Sequence, residues 1–254
     1  KGASQKSSRK ESNPQEGDKL TPRSVPSTYQ TLGKIAMMKL FFAPGACSFV
    51  PHVSLALAGA SYELQMVKLH KGEQGSPEFL AINPRGQVPV LIDDDRVIDQ
   101  VVAVVLYLDE QFPEAGILPK TQPARSRALT TLAWMNGGMH ATFAHIFMPH
   151  KFASDADAKA HIKTHNTALF EAQLHQLDAM CPEVGSDQWL TGSQPCALDA
   201  YATTLLRWSG LAGLSPQAFP RIYALANRLL ALPQLAEVVA AERYQLEPAP
   251  KPTA

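Results

Sequence analysis

Cysteine is scarce in this chain: 254 residues carry three, Cys47, Cys181 and Cys196. The number is odd and no two stand in C-x-x-C spacing, which excludes a disulfide framework and a thiol zinc site and points to a reducing compartment. Long apolar runs are missing as well. The longest, Val101 to Leu108, is far too short to span a bilayer as a helix. An excess of charge of either sign is also absent, since 23 basic and 23 acidic residues give a net charge of zero. No electrostatic argument therefore favours nucleic acid or an anionic membrane as partner. What remains, at 45% apolar and 18% charged residues, is the composition of a soluble globular protein large enough for one big domain or two modest ones. The expectation is a cytoplasmic protein.

Residues 1–36 differ in kind from the rest. They are polar, with prolines at 14, 22 and 26 and few large apolar groups, so they cannot bury enough surface to offset their ordering entropy. They lack the apolar centre of a secretory signal. The expectation is a leader that is disordered or a cloning remnant, with the folded protein starting near Met37.

From Lys39 the pattern alternates. Lys39–Phe42 reads as a strand, and Phe49–Ala58 as a helix closed by Gly59. Tyr62–Leu69 alternates well enough for a half-buried strand, and Ser76–Leu80 opens a short helix. Asn83–Gly86 makes a turn before a strand over Gln87–Ile92. Pro89 inside that strand cannot donate to a ladder, which fits a cis Val88–Pro89 bond where the edge meets a ligand. Asp93–Asp95 is a hairpin turn, Arg96–Ile98 a last strand, and Asp99 the cap of a helix through Gln111. This α/β unit, residues 37–112, passes through a linker at 113–122 into residues 123–254, where the β signal vanishes. Helices are expected over Pro123–Phe147, Asp157–Met180, Ala197–Leu211, Phe219–Leu230 and Pro233–Ala241.

The stretch that draws attention is LFFAPGACSFVPHV, residues 40–53. It reads as a strand, a Pro-Gly turn, and a Cys-Ser pair at a helix start. The free N–H groups and dipole of a helix's first turn favour negative charge, so Cys47 tends there towards the reactive thiolate. Pro51 suits a first turn. The alternative reading is a small buried residue in a turn, since free cysteine is among the most buried types.

Several stretches together resemble the glutathione transferase family, in particular its bacterial cysteine-type (beta) class: PGACS followed by PH, then AINPRGQVPVLIDDDRVID, VVAVVLYLDEQFP, GMHATFAHIF and ALDAYATTLLRW. The resemblance covers residues 38 to about 242. It implies a thioredoxin-like α/β N-terminal domain plus an all-α C-terminal domain, paired as a homodimer, with glutathione as co-substrate and neither metal, nucleic acid nor membrane involved. It further implies that Cys47 lies beside the glutathione sulfur, that Ser48 can hydrogen-bond the thiolate, and that His140 reaches the site from the first long helix. Gln87, Val88 and cis Pro89 would bind the peptide, Val88 through its backbone in the manner of an added β-strand. Phe42 stands where tyrosine-type relatives carry a catalytic hydroxyl, so that mechanism is closed to this chain.

The family's usual Glu-Ser pair, which grips the γ-glutamyl group, falls on Gln100 and Val101. Gln100 can still accept from the ammonium but lacks full charge. Val101 keeps a backbone N–H at a helix N-terminus but no hydroxyl, and loss of one hydrogen bond to a charged group costs roughly 1.5–3 kcal/mol. Asp99 would either repel the carboxylate or bind the ammonium. Weakened glutathione binding, or a different thiol, is the expectation. Phe143, Phe147 and Trp208 are candidates for the electrophile pocket, against the plain alternative of core packing. His161 and His165 share one helical face but have no third ligand, so no metal site is expected. Asp199 reads as half of a capping box whose first position, Cys196, caps poorly. Three functions compete: transfer of glutathione to small electrophiles, thiol–disulfide or peroxide reduction through Cys47, and non-catalytic binding on the same fold.

Overall fold

Alternating side chains in one five-residue strand tie the molecule together. In the computed structural model, which describes residues 37–246, strand β1 (Met38–Phe42) sends Leu40 and Phe42 to one face of a sheet and Phe41 to the other. Successive strand side chains point to opposite faces, so this segment feeds two separate apolar clusters. Helix α1 (Phe49–Leu57) and strand β2 (Tyr62–Met66) follow, then helix α2 (Pro77–Ile82), strands β3 (Val90–Asp93) and β4 (Arg96–Asp99), and helix α3 (Val101–Gln111). The strand order is β2-β1-β3-β4, with β1 parallel to β2 and the other pairs antiparallel. This is a thioredoxin-like sheet.

The smaller cluster lies under α2 and joins Phe41, Val67, Phe79, Ile82, Val90 and Ile92. Ser76 caps α2, its hydroxyl accepting from the Phe79 N–H at 3.2 Å. The larger cluster joins Leu40, Phe42, Leu91, α1 and α3 to the helical half of the chain in one continuous core. That half consists of α4 (Ala124–Trp134), a π-helical stretch (Met135–His140), α5 (Ala141–Phe147), α6 (Ala156–Met180), α7 (Ala197–Leu211), α8 (Pro220–Leu230) and α9 (Ala236–Ala241). Helix α1 packs against both α3 and α7. Seven of its nine residues are buried, as a helix covered on two sides requires.

Several expectations need correction. The residue heading α3 is Gln100, not Asp99, which ends β4. The strand after the QVP segment starts at Val90, because Val88–Pro89 is cis and outside the ladder. Strand β2 stops at Met66 and is mostly exposed, since it forms the sheet edge and three of its five side chains face solvent. The expected helix over Pro123–Phe147 is interrupted by the π-helical turn that carries Gly137, Gly138 and His140. At α7 the weak cysteine cap is compensated. Asp199 accepts from the Cys196 N–H at 2.8 Å and the Leu190 N–H at 3.0 Å, while Thr191 donates to the Cys196 sulfur at 3.3 Å. The leader at 1–36 lies outside the described residues. Among those described, no single helix is long and apolar enough to cross a membrane.

Candidate functional site

The Pro44–Cys47 loop between β1 and α1 is held from both sides. On its own side, Ser48 closes a turn: its hydroxyl donates to the Ala43 carbonyl at 3.2 Å and accepts from the Ala43 N–H at 3.1 Å. The one hydrogen of the Ser48 hydroxyl is thus directed at the Ala43 carbonyl. From the helical domain, the Trp208 indole N–H donates to the Gly45 carbonyl at 2.9 Å. The Arg207 guanidinium carbon lies 3.5 Å from where a Cβ on Gly45 would sit, and Gly45 has φ +85°. Glycine suits this position because it adopts that angle at no steric cost; a Cβ there would meet the guanidinium only at ordinary contact distance.

Cys47 sits at the end of this loop, buried, with its thiol donating to the Val88 carbonyl at 3.7 Å. The cysteine loop and the QVP segment thus meet at one point. Burial pushes the Cys47 thiol up to about 12, the negative charge of Glu242 adds to the rise, and the local backbone N–H only partly offsets it. At Cys47 the rise from desolvation is larger than the lowering by the local backbone N–H.

Beneath the loop lies a buried pair that the sequence reading missed. His52 Nδ1 and Glu242 Oε1 are 3.0 Å apart, and both side chains are enclosed. Burial raises the Glu242 carboxyl above its ordinary range, while His52, Arg207 and the Gly45 backbone N–H hold it down in part. Arg207 lies over the Tyr244 ring at 4.6 Å, and the Tyr244 hydroxyl donates to the Thr203 carbonyl at 2.5 Å. The segment after α9 therefore folds back onto α1 and α7. The only sequence signal was Pro51-His52, separated from the Cys-Ser pair by Phe49 and Val50; the partner of His52 stands 190 positions away.

His140 packs edge-on to Trp208, with ring centroids 4.7 Å apart. Trp208 stacks on Phe143 at 4.6 Å and Phe143 on Phe147 at 5.6 Å. The three aromatic candidates are thus brought together beside His140. Phe143 and Trp208 are buried, whereas Phe147 is 59% exposed at the outer end of the stack. Burial drives the His140 ring down to about 4, so it is neutral at physiological pH.

Gln87, next to Val88–Pro89 in the chain, meets Gln100, and Val101 follows as the first residue of α3. Gln100 has φ +76°, a conformation non-glycine residues seldom take and one that costs about 1–3 kcal/mol. Its side-chain amide donates to Gln87 Oε1 at 3.3 Å. The Val101 side chain belongs to the large core, so only its backbone is available to a ligand. Asp99 is bound by the Arg85 guanidinium at 3.0 Å. Among the described residues, no group of three or more His, Cys, Asp or Glu is placed to hold a metal ion.

The comparisons with known proteins agree with this architecture. Residues 36–110 match the model of the glutathione S-transferase N-terminal domain. The chain is 29% identical over 208 residues to the glutathione S-transferase GstA of Escherichia coli O157:H7, covering 81% of this chain and 98% of that protein. It is 30% identical over 204 residues to the glutathione S-transferase GST-4.5 of Xanthomonas campestris pv. campestris, covering 76% and 93% of the two chains. A sphingomonad glutathione S-transferase solved with glutathione superposes with a TM-score of 0.68 at 30% identity, covering 82% of this chain and all of the other. With a cysteine loop facing a cis-proline strand edge under a helical domain, and with relatives matched over nearly their full length, the chain belongs to the glutathione S-transferase family.

Proposed function

We propose that the chain is a glutathione transferase of the cysteine-type (beta) class, with the reaction centred where Cys47 meets Val88. The observation that carries this reading is the 3.7 Å contact of the Cys47 thiol with the Val88 carbonyl. It puts a sulfhydryl donor against a backbone edge that can pair with the cysteinyl residue of a peptide. Glutathione lies along that edge, with Gln87, Gln100 and the Val101 N–H at the start of α3 facing its γ-glutamyl group. A neutral, buried Cys47 acts through its S–H, which turns from the Val88 carbonyl to the glutathione sulfur when the peptide backbone pairs with Val88, favouring the sulfur's thiolate. The glutathione thiol releases its proton, which His140 Nε2 accepts. The thiolate then forms a C–S bond to an electrophilic carbon, and the leaving group departs with its electron pair. The aromatic stack Trp208–Phe143–Phe147 forms the wall for that electrophile. The high thiol pKa of Cys47 argues against the reductase reading, because an attacking cysteine needs a populated thiolate. The family resemblance supports a homodimer in the cytoplasm.

The test is steady-state conjugation of glutathione to an activated aryl halide. The wild type turns over with saturation in glutathione, and His140→Gln lowers kcat by roughly a hundredfold, the scale of one general base. Absence of glutathione binding at millimolar concentration by calorimetry would sink the reading.

A further inference from the structure

We propose that Tyr201 and Asn136 form a positioning pair that fixes the proton of His140 on Nδ1 and leaves Nε2 as the acceptor. The inference rests on the reading above that His140 acts at the thiol site, and it adds two residues which that reading does not use. Tyr201 lies on α7, fully buried. Its hydroxyl donates to Asn136 Oδ1 at 3.0 Å and lies 2.8 Å from His140 Nδ1. A phenol has one hydrogen to give. With that hydrogen directed at Asn136, the Tyr201 oxygen can only accept from His140, so Nδ1 must carry a proton.

The imidazole has no second proton to spare. Burial holds His140 far below its ordinary pKa, at about 4, so at neutral pH the ring carries one proton. Once that proton sits on Nδ1, Nε2 presents a bare lone pair. Which nitrogen of a histidine is protonated is set by the hydrogen bond made by the other. Free imidazole side chains in water favour the opposite tautomer, so the bond to Tyr201 is what selects the reactive form.

The local backbone explains how three polar groups converge inside an apolar helix bundle. Asn136 and His140 are four residues apart in the π-helical stretch Met135–His140. The wider turn of a π-helix brings both to the side that faces α7, and such turns recur at functional sites. Tyr201 touches both ends of the pair. The ring plane of His140 is fixed as well, edge-on to Tyr201 at 6.2 Å and to Trp208 at 4.7 Å. Because Trp208 also holds the Gly45 carbonyl, the ring is in register with the Cys47 loop. A phenylalanine at 201 would fill nearly the same volume, so the hydroxyl is the part that packing leaves unexplained. Tyr201 acts through His140 and is a positioning residue.

The experiment is nitrogen NMR on the full chain with labelled histidine, the His140 signals being assigned by their loss in His140→Gln. Near neutral pH the wild type should show Nδ1 protonated and Nε2 bare. Tyr201→Phe should move the proton to Nε2 and lower kcat for conjugation roughly tenfold or more, with KM for glutathione within about twofold. Asn136→Ala provides a second arm that keeps the tyrosine in place. Without Asn136 Oδ1, the Tyr201 hydroxyl can donate to Nδ1, and the tautomer should switch although the volume around Tyr201 is unchanged. A wild-type ring protonated on Nε2 would overturn the proposal. So would either variant, folded by its melting curve, keeping the wild-type tautomer, or a switched tautomer with unchanged kcat. Full activity of His140→Gln would count against the thiol-site reading instead, and the tautomer data would still decide the role of Tyr201.

Discussion

At the Cys47 loop, the holding groups come from far along the chain: Trp208 on the Gly45 carbonyl, Arg207 against Gly45, and Glu242 on His52 beneath. At the Gln87–Val101 edge, the contacts join near neighbours, Arg85 to Asp99 and Gln87 to Gln100, and they are exposed. The sulfur end is thus a property of both domains, and the edge a property of the first domain alone. Disturbance of the helical domain should reach the cysteine while leaving the edge intact.

The comparison is broken most forcefully at Glu242. Glu242→Ala leaves His52 buried without its partner and should cost roughly 3–5 kcal/mol, the scale for removing one member of a buried pair, read by urea unfolding. A cost under about 1 kcal/mol, the scale of a surface pair, would show the two ends to be built alike.

Acid should also strike the sulfur end first. His140 is held at about 4 against an ordinary 6.5, so the unfolded chain binds its proton at a higher pH than the folded one does. Stability attributable to this ring is therefore unaffected above pH 6.5 and falls as the pH drops towards 4. At 1.36 kcal/mol per pH unit the loss is about 3 kcal/mol. His140→Gln should flatten that part of the unfolding profile between pH 7 and pH 4, and equal slopes for variant and wild type would refute the assignment.

A smaller effect is expected at Ser48. Ser48→Ala leaves the buried Ala43 N–H unmet and should cost about 1–3 kcal/mol by thermal unfolding, while the Trp208 contact holds the loop for glutathione binding. The smallest belongs to the edge: Arg85→Ala removes an exposed ion pair worth less than about 1 kcal/mol, and the loss should fade further in high salt.

The sequence made the two-layered plan readable because its signals are local. PGACS and QVP each mark a loop by the residue types the loop needs, and α7 was read to its ends, Ala197 and Leu211, by its periodicity. The His52–Glu242 pair was not readable, since a histidine inside an apolar helix gives no sign of a carboxylate 190 residues on. The upward push on the Cys47 thiol was out of sight for a related reason. A helix start is visible in sequence, but the desolvation that overrides it comes from the covering domain. The positive φ of Gln100 left no trace either, because glutamine is not a residue that announces such a turn. Tyr201 lies within ALDAYATTLLRW, yet the role proposed for it depends on a π-helical turn that the even helical pattern of 123–147 conceals.

The central claim is that the neutral Cys47 S–H, donating to the bound glutathione sulfur, lowers the pKa of that thiol. Ultraviolet thiolate absorbance of the protein–glutathione complex, followed against pH and corrected with Cys47→Ala and with unliganded protein, measures it directly. The account predicts that bound glutathione ionises at least about one pH unit below free glutathione, and that the difference is smaller in the Cys47→Ala complex. A bound thiol that titrates together with free glutathione would contradict it.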